Sequence, residues 1–367
     1  MTRNYDLIVV GAGPAGSAAA ITAARNGAAV LLLERGRFPR HKVCGEFVSA
    51  ESLDLLRDLL APDQRQLISN APRIARGRIF GDGAVLDAEI IPPAASIPRF
   101  DLDAALWDSC RQSRVETREE YAVQTVEGDG PFGVVSADVC YTAKSLINAT
   151  GRWSNLTSTA TRACVTAERW IGIKAHFREP SAATSVDLYF FEGGYCGVQP
   201  ISVASNGSGT RINACAMVRS DVATTLPEVM RCDPALLERS RGWELLMQPV
   251  TTAPLVFHES EPLQGQVLQV GDAATFVDPF IGDGISLALR SGNLAAICLQ
   301  SFFRGECSLQ QAAEGYRNLY QRELAPVFRA SSWLRRMLGW PAMVRKPVLS
   351  LLEKAPSITR QLVRMTR

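Results

Sequence analysis

An α/β fold is predicted, with a Rossmann-type nucleotide-binding domain, a β-sheet-rich second domain and a C-terminal helical segment. Three observations predict it. Residues 6–34 read as strand, glycine-rich turn, helix, strand and acid. Residues 171–177, 185–191 and 211–218 are short runs rich in branched and aromatic residues, as strands are. From Trp333 onward, apolar positions alternate with Arg and Lys between prolines, as in short helices.

The opening unit carries the most information. Asp6–Val10 is an apolar run of strand type, followed by Gly11-Ala-Gly13-Pro-Ala15-Gly16 and a helix-forming stretch that closes at Gly27. Ala29–Leu33 is a second buried strand and ends in Glu34. Gly11 permits the tight turn, Gly13 lets a pyrophosphate approach the backbone, and Gly16 allows close helix–strand packing. The helix N-terminus turns its partial positive charge toward phosphates. Glu34 stands where a carboxylate accepts both hydroxyls of an adenosine ribose, and a 2′-phosphate there is repelled. Ala15 in the turn and Arg35 beside the acid count with these residues as expected cofactor contacts. From this unit alone, FAD and NAD are both open.

The 367 residues are 47% hydrophobic and 21% charged, ordinary globular composition that excludes disordered, collagen-like and disulfide-miniprotein classes. The net charge of +2 gives no basic bias toward nucleic acid. It hides an asymmetry, because nine basic residues oppose Glu353 alone from Arg329 onward, a local +8 that leaves −6 for residues 1–328. Nine cysteines with no CxxC pair, and three histidines at no metal-ligand spacing, point to free thiols in a reducing, cytoplasmic setting and to no zinc site. The apolar stretch 7–33 is broken by Pro14, Arg25 and four glycines, and reads as folded structure rather than a signal segment.

A second glycine-rich block chooses the cofactor. Leu268–Ala274 is a strand ending in Gly271-Asp272. It leads into Phe276-Val-Asp-Pro279-Phe-Ile-Gly282-Asp283-Gly284-Ile285 and a helix to about Phe302. With the opening unit, this block resembles the FAD motifs of the superfamily of aromatic hydroxylases, geranylgeranyl reductases and flavin-dependent halogenases. The resemblance implies that Asp272 binds the ribityl hydroxyls and that Pro279, Gly282, Asp283, Gly284 and Ile285 wrap the isoalloxazine. Three smaller blocks extend it. Pro98-Arg99-Phe100-Asp101 is similar to a segment whose Arg contacts the cofactor at a helix start. Leu146–Gly151 matches a strand followed by an Asp-Gly fingerprint, except that Thr150 replaces the Asp, and Gly151 is an expected contact. Phe38-Pro-Arg40-His-Lys-Val-Cys44-Gly45 resembles the loop that the geranylgeranyl reductase branch places beside the flavin.

The split motifs require a discontinuous FAD domain, assigned to residues 1–75, 99–160 and 255–300. The β-rich substrate domain takes 76–98 and 161–254, and 301–367 forms the basic helical segment. Arg40 and Lys42 either meet the cofactor phosphates or form a solvated loop, with His41 between them exposed. His176 and His258 read as structural histidines inside strand-like runs. Cys44 is either an active-site thiol or one of several buried free thiols. Tyr195 either lines the substrate pocket and donates a proton or packs in the core. No second dinucleotide motif is present, so a nicotinamide donor, NAD(P)H, docks transiently or a partner protein supplies electrons.

The resemblance implies an FAD-dependent oxidoreductase for a small apolar molecule, prenyl-like or polyketide-like. The leading expectation is hydride reduction of a carbon–carbon double bond. Alternatives are a monooxygenase that hydroxylates through a C4a-hydroperoxide and, on a different principle, a non-catalytic prenyl-binding escort. Tyr195 and Gly197 stand where halogenases need Trp, which argues against halogenation. The basic tail fits either peripheral contact with an anionic membrane surface or helices packed on the FAD domain.

Overall fold

The computed structural model describes residues 4–136, 139–152, 156, 169–203, 209–255, 260–275, 283–327 and 343. The expectations for Pro279, Gly282, His258 and nearly all of the basic tail fall outside these residues.

Two sheets organise the described residues. The first has Leu263–Gln264, Val267–Gln269, Val139–Asn148, Asn4–Val10, Val30–Leu33 and Glu116–Arg118 in that spatial order, and a hairpin of Val123–Glu127 and Phe132–Ser136 pairs with Val139–Asn148. Asn4–Val10 pairs in parallel with Val30–Leu33 on one side and Val139–Asn148 on the other. Leu7, Ile8, Val9, Leu31, Leu32 and Leu33 are fully buried, as near-continuous apolar runs in a parallel sheet must be.

Helix Pro14–Arg25 crosses between the two central strands. A Cβ on Gly16 would lie 1.8 Å from the Gly11 carbonyl oxygen, so only glycine lets this helix sit so close to the turn. Helix Gly284–Phe303 packs on it with equal intimacy, because a Cβ on Gly292 would lie 2.0 Å from the Ala15 carbonyl oxygen. The alanines between supply small, good helix-forming packing units.

The second sheet runs Glu244–Leu245, Trp170–Glu179, Thr210–Arg219, Gly194–Val203, Ser185–Phe191, Arg73–Gly81, Ala84–Ser96 and Phe47–Val48, with Val250–Leu255 also paired to Trp170–Glu179. Its two faces differ. One carries Ala175, Phe177, Cys196, Val198, Ala214, Ala216 and Val218, and is covered by helices Leu226–Arg231 and Pro234–Ser240. By the strand alternation the other carries Lys174, His176, Tyr195, Gln199, Asn213, Cys215 and Met217. That second face meets the cofactor region. No described helix is long and apolar enough to cross a membrane.

Candidate active site

A cavity of about 560 Å³ opens where Val10 and Leu33 end their strands and Ala149 and Val270 follow theirs. The carboxyl ends of parallel strands are where α/β sheets bind ligands. Gly11, Gly13, Ala15, Glu34, Arg35, Arg40, Cys44, Gly45, Arg99, Gly151, Asp272, Gly284 and Ile285 all reach its wall, and Val250–Thr252 close it from the second sheet. Gly16 and Asp283 stand behind the wall, Gly16 in helix packing and Asp283 buried at the helix start.

The nucleotide end is built from backbone. Gly11 has φ +100°, and a Cβ there would lie 2.4 Å from the Ala149 carbonyl oxygen. The Glu34 carboxylate accepts from Ala12 N at 3.0 Å and Gly36 N at 2.8 Å, and pairs with Arg40 at 2.8 Å. Burial alone raises this carboxyl, but Arg40 and the two backbone donors outweigh it and hold the group below the usual range. Oε2 takes a single donor from the turn, which leaves it acceptor capacity for a ribose hydroxyl.

The loop after Glu34 is cationic and partly enclosed. Lys42 is brought down to about 8, first by burial and then by the charges of Arg40 and Arg99. His41 is not exposed as expected. Its ring stacks on Phe100 at 4.6 Å and meets His176 edge-on at 5.4 Å, and burial lowers its pKa. The basic residues on either side suggested solvent, but the ring has aromatic partners from two distant elements.

Arg99 begins helix Arg99–Gln112 and holds Asp103 through two bonds of 2.7 Å. Burial opposes its charge, but the neighbouring Asp103 carboxylate more than compensates, and the guanidinium pKa is raised. Its Nη2 lies 3.8 Å from where a Cβ on Gly13 would stand, so a fixed cation overlooks the phosphate turn. Asp272 lines the cavity and faces Arg152 at 3.4 Å. Thr150 donates through N and Oγ1 to Asn148 Oδ1 at 3.1 and 2.7 Å, and Asn148 in turn donates to Gln269. The residue that departs from the acidic fingerprint is thus occupied in tying two strand ends together.

Asp283 precedes helix Gly284–Phe303. Burial raises its pKa to about 6. Neither carboxylate oxygen makes a hydrogen bond of standard geometry, and the Ser49 and Ser286 hydroxyls offset only part of the burial. Those two serines bond each other at 2.8 Å and join the loop after Cys44 to the helix.

Cys44 and Gly45 form a turn on the cavity wall, with the thiol beside Arg99. Asn213 Nδ2 donates to both of their carbonyls at 3.0 Å. The next residue, Glu46, was missed by sequence reasoning. It is fully buried with φ +63°, a conformation that costs a non-glycine residue roughly 1–2 kcal/mol. One oxygen accepts from Arg99 N at 2.9 Å and pairs with Lys174 Nζ, and the other meets His176 Nε2 at 2.9 Å. Burial raises the Glu46 carboxyl, but its two partners prevail and hold it down. Arg211 Nη2 lies 3.3 Å from His176 Nδ1. A guanidinium can only donate, so Nδ1 accepts and the Nε2 proton faces Glu46. The available signal was Lys174-Ala-His176 inside the otherwise apolar run 171–177, two polar side chains on one face of a sheet.

Tyr195 does not reach the cavity wall. Its side chain is buried and its ring stacks on Phe190 at 5.4 Å, on the sheet face that also carries Asn213 and His176. Three of these features suit the diphosphate and adenosine ribose of a dinucleotide. They are a glycine turn that a Cβ would obstruct, an acid with acceptor capacity, and the cations Arg40, Lys42 and Arg99 gathered on the cavity wall.

A family model described as FAD dependent oxidoreductase matches residues 6–39. Digeranylgeranylglycerophospholipid reductase 2 of Methanopyrus kandleri is 25% identical over 337 residues, covering 89% of this chain and 84% of that protein. Conditioned medium factor receptor 1 of Dictyostelium discoideum is 24% identical over 390 residues, covering 96% of this chain and 74% of the receptor. The structure of a flavin-dependent brominase matches with a TM-score of 0.79 at 19% identity, covering 99% of this chain and 93% of the brominase. At that identity the likeness concerns the fold.

Proposed function

We propose that this chain is an FAD-dependent oxidoreductase, of the kind found among geranylgeranyl reductases and flavin-dependent halogenases, and that it reduces a carbon–carbon double bond in an apolar, prenyl-like or polyketide-like small molecule. NADH or NADPH, docking transiently, supplies the electrons. The observation that carries this reading is the Cys44–Gly45 turn, set on the cavity wall with its thiol beside Arg99. The prenyl-lipid reductase relative supports the substrate class.

When bound, FAD supplies a two-electron carrier able to pass a hydride. The chain's residues do the rest. Gly11 and Gly13 admit the diphosphate to the backbone, and Arg40, Lys42 and Arg99 offset its charge. Glu34 orients the adenosine ribose and Asp272 the ribityl chain. The N-terminus of helix Gly284–Phe303 directs its positive end at the cavity. Cys44 stands at the wall as the proton-bearing group that the second carbon of a reduced double bond requires.

A monooxygenase is the second reading, since the fold serves both reactions. Turnover under argon separates them. With NADPH and a panel of polyprenyl lipids, the reductase forms saturated product without oxygen. A product that appears only in air overturns the reductase in favour of the hydroxylase, and failure of the purified chain to take up FAD removes both.

A further inference from the structure

Glu46 joins the two halves of the molecule. It follows the Cys44–Gly45 turn on the cavity wall, and its carboxylate is held from the second sheet by Lys174 and His176, residues 128 and 130 positions away in the chain. Lys174, Glu46 and His176 are all essentially inaccessible to solvent. From the same sheet face, Asn213 grips the Cys44 and Gly45 carbonyls. The Glu46 N–H donates to the Cys44 thiol at 3.3 Å.

A buried ion pair is a poor way to add stability, because well-packed apolar residues of similar volume join two sheets as well or better. What the pair does supply is fixed geometry. Two donors on separate carboxylate oxygens, with a third from Arg99 N, leave Glu46 one orientation, and its left-handed backbone then dictates the course of the turn before it. Strained backbone that the surroundings over-determine is typical of functional sites. The other titratable or charged groups facing this cluster are His41, Asp101, Arg99 and Arg211.

We propose that Lys174 and His176 are positioning residues that act through Glu46 to hold the Cys44–Gly45 turn, and with it the Cys44 thiol, at one place on the wall of the cofactor cavity. The inference rests on the oxidoreductase reading for its purpose, but not for its test. Lys174→Met alone leaves the buried Glu46 carboxylate without its lysine counter-charge and is expected to unfold the region. The informative variant is the double replacement Glu46→Gln with Lys174→Met, which removes both charges and keeps the volumes.

The full-length chain and this variant are compared by the rate at which iodoacetamide alkylates Cys44, read by peptide mass spectrometry without FAD, and by the absorption spectrum and midpoint potential of added FAD. Positioning predicts that alkylation of Cys44 accelerates by about tenfold or more, while Cys110, buried in the first core, keeps its rate. The bound-flavin spectrum and potential shift as well. A purely structural role predicts a lower melting temperature with alkylation of Cys44 and Cys110 changed in parallel and the flavin spectrum intact, and that result overturns the proposal. If the double variant does not fold, His176→Gln tests the same link, with the same two outcomes. A wild-type chain that binds no FAD defeats the oxidoreductase reading, while the alkylation rates still decide whether the clamp exists.

Discussion

Between Gly11 and Glu34 the first sheet assembles its nucleotide turn in one strand–helix–strand passage, and most of what it offers a ligand is main chain. The second sheet reaches the same cavity through side chains that meet only after long detours. Lys174 and His176 find Glu46, Asn213 finds Cys44 and Gly45, and Gln199 Nε2 donates to Ser96 at 2.5 Å. The far face of that sheet is organised in the same way. Arg239 holds Glu179 with bonds of 2.7 and 2.9 Å, Asp187 at 2.5 Å and the Tyr189 hydroxyl at 3.1 Å. Backbone geometry is set by local residues and tolerates little. Paired side chains fix a surface from distant parts of the chain, at the risk of stranding a charge when one partner is lost.

The largest expected effect tests whether the two regions are separable. Arg239→Met leaves Glu179 without its ion pair and Asp187, which is fully buried, with Arg78 as its one remaining cation beside the Ser185 hydroxyl. Breaking a buried ionic network costs about 3–5 kcal/mol. Urea unfolding is expected to show a loss of that size in the second sheet, with FAD affinity unchanged for the fraction that remains folded. A matching loss of FAD affinity in the folded protein would show that the two regions are not independent.

Gly16→Ala makes the converse test. The added methyl meets the Gly11 carbonyl oxygen, so helix Pro14–Arg25 must shift away from the turn. Overpacking of this kind costs about 1–3 kcal/mol, less than the loss of Arg239. FAD uptake, followed by quenching of flavin fluorescence, is nevertheless expected to suffer far more, because the displaced element is the phosphate cradle itself. Normal uptake by a destabilised Gly16→Ala protein would refute the division of labour between backbone and side chains.

The same contrast explains what the sequence made legible. The unit from Asp6 to Glu34 was readable because its glycines, apolar strands and acid lie at short fixed spacings, and each residue type has one physical reason to be there. Arg99, Gly151 and Asp272 were reachable by resemblance to family segments. Glu46 was not, since a glutamate after Cys-Gly looks like any loop carboxylate until the fold brings a lysine and a histidine to it. His41 was misjudged for the same reason: its sequence neighbours are cations, whereas its spatial neighbours are Phe100 and His176. Tyr195 lies on strand Gly194–Val203, outside the runs that read as strands, and its distance from the cavity wall depends on packing that no local pattern displays.

The smallest expected effect sharpens the account of the cationic loop. Lys42 sits at about 8 instead of 10.5, through burial first and then the nearby charges of Arg40 and Arg99. A diphosphate beside it favours the charged form and restores a higher value. Below about 8 the ammonium is charged with or without the ligand, so pH has no leverage there through this group. Between about 8 and 10.5 the free protein has lost the proton and the complex regains it, so binding takes up a proton and affinity must fall as pH rises. One group changing by one proton limits the slope to about tenfold in Kd per pH unit. FAD titrations of the apoprotein across this interval are expected to show that decline in the wild type and a flat response in Lys42→Met. Arg99, whose burial is outweighed by Asp103 so that its pKa is raised, stays charged throughout and gives no slope of its own, so equal slopes in the two proteins would place the titrating cation elsewhere and leave Lys42 outside the phosphate site.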